Sequence, residues 1–180
     1  IIEALPAGQN RTFFSTAYSL GLRISEATAL EVKDINSDRM QVHVHYGKGA
    51  RDRVIPLPET TLFILRKYWK THRHPVWLFP ALGHDCKGGP TAKKHVPGST
   101  VQGALRRTVK KMEFRKQISS HTFRHSYATH LLEAGVPIRH IQQYLGHKTI
   151  NSTTIYLHVT TQGRIDSSQQ INRLMKGVLT

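Results

Sequence analysis

The chain contains 180 residues, enough for one domain of ordinary size with its own hydrophobic core. Lysine and arginine number 26 against 11 acidic residues, and the resulting net charge of +15 predicts attraction to a polyanion, either nucleic acid or an anionic membrane surface. No window of about 18 apolar residues occurs, which argues against a transmembrane span, and the single cysteine, Cys86, excludes an internal disulfide framework. We therefore expect a folded, nucleic-acid-facing protein of the cytoplasm, associated with the nucleoid.

The first part of the chain predicts two helices. Residues 9–20 have helical periodicity, because Phe13 and Ala17 are spaced to share one face. Gly21 interrupts this helix. A second, shorter helix is expected from Ser25, whose hydroxyl can cap its start.

The period of the apolar residues then changes from helical to two, which is typical of half-buried strands. Strands are predicted at residues 32–35, 42–46 and 54–57, with a tight glycine-containing turn at 47–49 between the last two. Together they predict a small three-stranded antiparallel sheet. Helical spacing returns at residues 60–70.

A basic surface is predicted in the middle of the chain. Residues 81–98 are rich in Gly, Pro and Lys and are expected to form an exposed loop, and residues 99–112 a helix. The stretch 86–112 has no acidic residue, whereas soluble protein faces normally mix both signs of charge. We therefore expect a phosphate-contacting, DNA-binding surface that includes Lys87, Lys93, Lys94, Arg106, Arg107, Lys110 and Lys111.

The last part of the chain predicts three further helices. Ser120 is expected to cap a helix over residues 121–133, and Pro137 opens the next helix, which ends at Gly146. A third helix is expected over residues 151–158. The predicted fold class is thus α+β, mostly α-helical, with one small antiparallel sheet.

Candidate chemistry begins with His121 and Arg124, which lie three residues apart and share a helix face suited to holding a phosphate. His121 and His125 also have the i, i+4 spacing of metal ligands, but no third acidic or cysteine ligand lies nearby. The acidic residues are scattered singly, which disfavours two-metal phosphoryl transfer. The sequence therefore predicts no metal site and, if the protein cuts nucleic acid, a protein nucleophile.

Six motifs occur in the order found in one known family. They are G-L-R-I-S-E, G-K-G-A-R-D-R, W-L-F-P, S-S-H-T-F-R-H-S-Y-A-T-H-L-L-E-A-G, Y-L-G-H-K and T-T-I-Y-L-H-V. Over roughly residues 13–159 the chain closely resembles the catalytic domain of the tyrosine recombinases, the phage-integrase family.

The resemblance implies metal-free DNA cleavage through a 3′-phosphotyrosine, with Tyr156 as the nucleophile. Arg23 and Arg124 are the arginines that resemble those clamping the non-bridging phosphate oxygens. The resemblance implies that they neutralise charge in the transition state, as a metal ion does in other enzymes. Because the phosphotyrosine conserves the energy of the phosphodiester bond, the resemblance implies no cofactor.

The resemblance assigns four further residues. Lys48 resembles the lysine that protonates the leaving 5′-oxygen, and His121 the group that accepts or orients the tyrosine proton. His147 resembles a residue that hydrogen-bonds the scissile phosphate. Glu26 resembles a supporting carboxylate that holds Arg23 or an adjacent helix.

The resemblance also implies domains and partners. Residues 1–160 are expected to form the catalytic domain without the N-terminal core-binding domain of relatives, and residues 161–180 a tail that packs on a neighbouring protomer. Double-stranded DNA is the expected partner, with a tetramer on DNA, a monomer in its absence and no membrane contact. The alternatives are a type IB topoisomerase-like activity and a non-catalytic DNA-binding module. Integration, transposition, cassette capture and dimer resolution remain open as biological roles.

Overall fold

The computed structural model of the chain describes residues 1–45, 52–83, 88–114 and 117–157. The chain divides into two compact units, Ile1–Tyr127 and Ala128–Thr180. Within the described residues, no helix has both the length and the apolar character needed to cross a bilayer. The fold class agrees with the prediction, since helices dominate and one three-stranded antiparallel sheet is present.

Among the described residues, five helices contribute to the first unit, and the sequence predicts a helix near each of them. They begin or lie near the predicted positions because their apolar residues recur with helical spacing and become buried. They are α1 (Gln9–Ser19), α2 (Ile24–Thr28), α3 (Glu59–His72), α4 (Gly98–Lys111) and α5 (Ser120–Glu133). The residues of α5 after Tyr127 belong to the second unit.

An aromatic cluster forms the centre of the first unit. The Phe13 ring lies 5.2 Å from the rings of both Phe14 and Phe79, in edge-to-face arrangements. The Phe14 ring in turn lies 5.2 Å from that of Phe123 on α5, and Tyr68 stacks on Phe79 at 5.6 Å. These contacts fix the first turn of α5 against α1.

The sheet has the predicted antiparallel topology. Its strands β1 (Ile35–Asn36), β2 (Gln41–Val44) and β3 (Arg53–Pro56) lie in sequence order, with Val42 paired to Ile55. Val42, Val44 and Ile55 are buried while the exposed residues alternate with them, as the period of two predicts. The predicted turn 47–49 lies outside the described residues.

The predicted strand at residues 32–35 is largely wrong, because Val32–Asp34 form a 3₁₀ turn. The Asp34 carboxylate accepts a hydrogen bond from the Glu31 N–H at 2.9 Å, and the Asp34 N–H donates to the Glu31 carbonyl at 3.2 Å. These two bonds close a turn and leave only Ile35 and Asn36 for β1.

The described parts of the expected loop, residues 81–83 and 88–98, contain more regular backbone structure than the composition indicates. Gly89–Thr91 form a 3₁₀ turn, and Pro80 and His95 form an isolated antiparallel bridge. Val96 is buried, and its N–H donates to the Phe79 carbonyl at 2.8 Å. The end of this stretch is therefore paired through its backbone with the W-L-F-P segment.

The described part of the second unit, residues 128–157, contains the rest of α5 and two helices, α6 (Ile138–Leu145) and α7 (Asn151–Thr154). Pro137 precedes α6 and Gly146 ends it at a φ of +63°, as expected for a left-handed helix terminus. The helix α7 ends at Thr154 and is therefore shorter than the predicted helix over residues 151–158. The tail, residues 161–180, lies outside the described residues.

The start of α5 differs by one position from the prediction. Ser120 is the first helical residue rather than the cap. The capping bonds form one residue earlier, where the Thr122 hydroxyl accepts the Ser119 N–H at 3.1 Å and the Thr122 N–H donates to the Ser119 carbonyl.

Candidate active site

Arg23 and Glu26 are joined at the start of α2. The Arg23 N–H donates to Oε2 of Glu26 at 2.8 Å, and Nη1 of Arg23 donates to Oε1 at 2.9 Å. Arg23 occupies the N-cap, so the helix begins at Ile24, one residue before the predicted start at Ser25. The Arg23 side chain is 34% exposed, unlike the buried carboxylate of Glu26 that it contacts.

Arg53 completes a second pair with the same carboxylate. Its Nη1 and Nη2 donate to Oε1 and Oε2 of Glu26 at 3.0 and 2.8 Å, in the two-pronged geometry that guanidinium and carboxylate groups favour. Both side chains are buried. Glu26 therefore ties α2 to β3.

Arg124 reaches the same region from α5. Its Nη1 donates to the Gly21 carbonyl at 2.7 Å and lies 3.8 Å from Oε2 of Glu26. Gly21 adopts a φ of +59° after the end of α1, a conformation that glycine favours. The two predicted phosphate-clamping arginines, Arg23 and Arg124, thus converge on one carboxylate although they are far apart in sequence.

The charges of this cluster are unequal. Arg23, Arg53 and Arg124 surround the single carboxylate of Glu26, and arginine remains protonated in proteins. Burial alone would raise the pKa of Glu26, but the hydrogen bonds and charge of Arg53, together with the bonds from Arg23, outweigh it and lower the pKa. In the contacts described, three guanidinium groups share one ionised carboxylate, an arrangement that suits an anionic ligand.

His121 lies on the exposed side of the first turn of α5, one turn before Arg124. His125 directly follows Arg124 on the same helix and lies one turn after His121. Burial lowers the pKa of His125, and the charges of His121 and Arg124 lower it further. The lowered pKa favours the neutral form of His125.

The second unit holds His147 and Tyr156. His147 directly follows Gly146, and its Nδ1 lies 2.9 Å from the hydroxyl of Thr153, which is fully buried. The Tyr156 N–H donates to the Thr153 carbonyl at 3.1 Å, and Tyr156 is buried with 5% exposure. Thr153 therefore contacts both His147 and the backbone of Tyr156.

The predicted basic surface is exposed wherever it is described. In α4, Val101, Ala104, Leu105 and Thr108 are buried, so the charged positions occupy the opposite face. Lys48 and Lys87 lie outside the described residues. The exposed residues of the predicted surface are Lys93, Lys94, Arg106, Arg107, Lys110 and Lys111.

Sequence reasoning assigned no function to Arg53 or to several histidines. The signal for Arg53 was its place at the end of G-K-G-A-R-D-R, two residues before the inward-facing Ile55. His74 is buried, where its Nδ1 accepts hydrogen bonds from the N–H groups of Val76 and Trp77. It therefore positions the W-L-F-P segment rather than contributing to a basic surface.

Comparison with known proteins decides the family. The model of the phage integrase family matches residues 3–163, which is most of the chain. The chain belongs to the phage integrase family. Among its relatives, a tyrosine recombinase of Thermosipho africanus is 38% identical over 163 residues, covering 91% of this chain and 54% of the relative. Tyrosine recombinase XerA of Pyrococcus horikoshii is 38% identical over 146 residues, covering 81% of this chain and 48% of the relative.

Solved structures of family members share the fold. The crystal structure of XerA recombinase has a TM-score of 0.69 at 24% identity and covers 92% of this chain and 65% of its own. A post-cleavage complex of XerH site-specific recombinase with palindromic difH substrate has a TM-score of 0.73 at 22% identity. The match covers 96% of this chain and 49% of the XerH chain. The chain spans about half the length of the relatives it matches, and these likenesses support the predicted tyrosine-recombinase fold.

Proposed function

We propose that this chain is the catalytic domain of a site-specific DNA recombinase or integrase that breaks and rejoins DNA strands. The observation that carries the proposal is the convergence of Arg23 and Arg124 on Glu26, at 2.9 and 3.8 Å. Two guanidinium groups held side by side can each donate to a non-bridging oxygen of one phosphate. Membership of the family supports this use of the pair.

In the proposed reaction, the Tyr156 hydroxyl attacks a DNA phosphorus atom. A bond forms between the tyrosine oxygen and phosphorus while the bond from phosphorus to the 5′-oxygen breaks. A phenol has a pKa of about 10, so attack near neutral pH requires help with its proton. His121 accepts or orients that proton, and Lys48 donates one to the departing 5′-oxygen.

The arginines supply the electrostatic part of catalysis. Negative charge accumulates on the non-bridging oxygens as the phosphorus becomes five-coordinate, and Arg23 and Arg124 are fixed before this charge develops. Glu26 and Arg53 position the pair, and His147 adds a hydrogen bond to the phosphate. Attack by another 5′-hydroxyl on the phosphotyrosine reverses the step and joins the new strand.

We propose double-stranded DNA as the partner, contacted through the exposed cations of α4, with a tetramer on DNA and a monomer in its absence. Residues 1–160 are proposed as the catalytic domain. The names of the relatives favour recombination over topoisomerase-like relaxation or simple binding.

The test uses a pool of nicked DNA duplexes with randomised sequence around the nick, so that the pool contains many candidate target sites. After incubation and denaturation in detergent, the unaltered protein is expected to retain covalently bound DNA, and Tyr156→Phe is expected to retain none. DNA binding without any covalent product would contradict the enzymatic proposal and support a binding module.

A further inference from the structure

Two histidines and two carboxylates meet near the ends of β2 and β3 in the first unit. Nε2 of His45 lies 3.0 Å from Oδ1 of Asp34 and 3.2 Å from Nδ1 of His43. Nδ1 of His45 lies 2.9 Å from Oδ2 of Asp52. One ligand atom from each of Asp34, His43 and His45 falls within 4.8 Å of the other two.

The outer hydrogen bonds of this cluster have the arrangement found around metal-binding residues. A histidine ligand usually donates its second ring N–H to a carboxylate, and a carboxylate ligand is itself hydrogen-bonded. Here the contact with Asp52 places the proton of His45 on Nδ1, and Oδ2 of Asp34 accepts the Glu31 N–H at 2.9 Å. Nε2 of His45 and Oδ1 of Asp34 are then directed at each other.

With His45 protonated on Nδ1, the converging lone pairs of Asp34, His43 and His45 form a set that a bound cation would complete. A zinc–nitrogen bond is about 2.0–2.1 Å, so two ligands of one tetrahedral ion lie about 3.3 Å apart. The 3.0 and 3.2 Å separations around Nε2 of His45 are close to that value. We propose that Asp34, His43 and His45 bind one divalent transition-metal ion of the zinc type.

The ligand set and its exposure decide which ion fits. Imidazole nitrogens suit Zn²⁺, Ni²⁺ and Cu²⁺, whereas Mg²⁺ and Ca²⁺ prefer sites built from oxygen atoms. The side chains of His43 and His45 are 44% and 52% exposed, so an ion can enter from solvent. The Asp34 side chain is 3% exposed and supplies a fixed carboxylate at the base of the site.

The site has a defined place in the fold. Asp34 ends the 3₁₀ turn before β1, while His43 and His45 lie on and just after β2. An ion would therefore link the 3₁₀ turn to the end of β2. His45 and Asp52 also flank residues 46–51, which include Lys48. Metal binding by these residues is independent of the proposed strand cleavage.

Isothermal titration of the full chain, without an added histidine tag, with zinc chloride tests the site. One saturable zinc site is expected in the unaltered protein and in His140→Gln, which alters an exposed histidine on α6. His43→Gln and His45→Gln are expected to lose that site, and magnesium chloride is expected to produce no binding. Unchanged zinc stoichiometry and affinity in both His43→Gln and His45→Gln would overturn the proposal.

A second measurement needs no variant. Diethyl pyrocarbonate modifies accessible histidines, and mass spectrometry of peptides locates the modified residues. Zinc is expected to protect His43 and His45 in the unaltered protein at least several-fold, while His140 remains reactive. Equal modification of His43 and His45 with and without zinc would show that hydrogen bonds alone hold these side chains together. That result would overturn the metal site.

Discussion

The carboxylate of Glu26 and the guanidinium of Arg53 form a buried two-pronged pair, with contacts of 3.0 and 2.8 Å. Their side chains are 6% and 7% exposed, so neither charge is well solvated. The pair joins α2 to β3. Because Arg23 and Arg124 also contact Glu26, the geometry of the proposed phosphate site depends on this ion pair.

We expect Arg53→Ala to destabilise the protein by about 3–5 kcal/mol, because removal of one partner leaves a buried carboxylate with fewer compensating bonds. Arg53→Lys keeps the charge but not the two-pronged geometry, so a smaller loss is expected. Urea unfolding at neutral pH measures both. Arg107→Ala, at an exposed position, serves as control and should change stability by no more than about 0.5 kcal/mol. An equally small effect of Arg53→Ala would contradict the assigned contact.

The same pair predicts a pH dependence of stability. The pKa of Glu26 is lowered from its ordinary value of 4.5 in the folded state, so its ionised form stabilises the protein above 4.5. That contribution is lost as the pH falls through the lower, folded-state pKa. Glu26→Gln does not titrate, so the difference in unfolding free energy between the unaltered protein and this variant should shrink in acid.

Urea unfolding from neutral pH down through 4.5 measures that difference. Glu3→Gln, at an exposed carboxylate, should follow the unaltered protein throughout. A stability difference for Glu26→Gln that stays constant across the whole acid range would show that the folded state does not lower the pKa of Glu26.

The exposed basic face of α4 predicts salt-dependent DNA binding. Each phosphate contact contributes about −0.9 to the slope of log affinity against log salt concentration. Arg106→Gln and Arg107→Gln together should therefore flatten the slope by about 0.9 for each contact removed. Fluorescence anisotropy of a labelled duplex over a salt series measures this. Lys67→Gln, an exposed cation on α3, should leave the slope unchanged, and an equal effect of that variant would contradict a specific surface on α4.

Lys48→Met should slow strand cleavage by about 10²–10⁴, the usual contribution of a general acid. A substrate with sulfur in place of the 5′-bridging oxygen should restore the rate, because a thiol has a pKa of about 8.5 and leaves without protonation. Single-turnover cleavage of both substrates provides the comparison. Tyr156→Phe should cleave neither. If sulfur does not rescue Lys48→Met, this lysine is not the proton donor.

The sequence predicted the fold well where its signals were local. The periodicity around Phe13 and the alternation at Val42 and Val44 depend on neighbouring residues, so helix and strands followed directly. The 3₁₀ turn at Val32–Asp34 escaped prediction, because its apolar residues resemble a short strand and a side-chain hydrogen bond decides the outcome.

The supporting parts of the candidate site were less accessible to sequence reasoning. Arg53 and Glu26 are 27 positions apart, and nothing in their spacing indicates that they meet. Asp34 and His45 likewise come together through the pairing of β1 with β2. Such contacts depend on the tertiary fold, whereas Arg23 and Arg124 were identified through the motifs around them.

The most direct test of the account locates the covalent bond between protein and DNA. The adduct formed on the nicked duplex pool in the presence of a chelator is digested with protease and nuclease, and mass spectrometry identifies the residue that carries the nucleotide. We predict a phosphodiester on the Tyr156 oxygen. A nucleotide on any other side chain, or loss of the adduct whenever divalent ions are removed, would contradict the proposed mechanism.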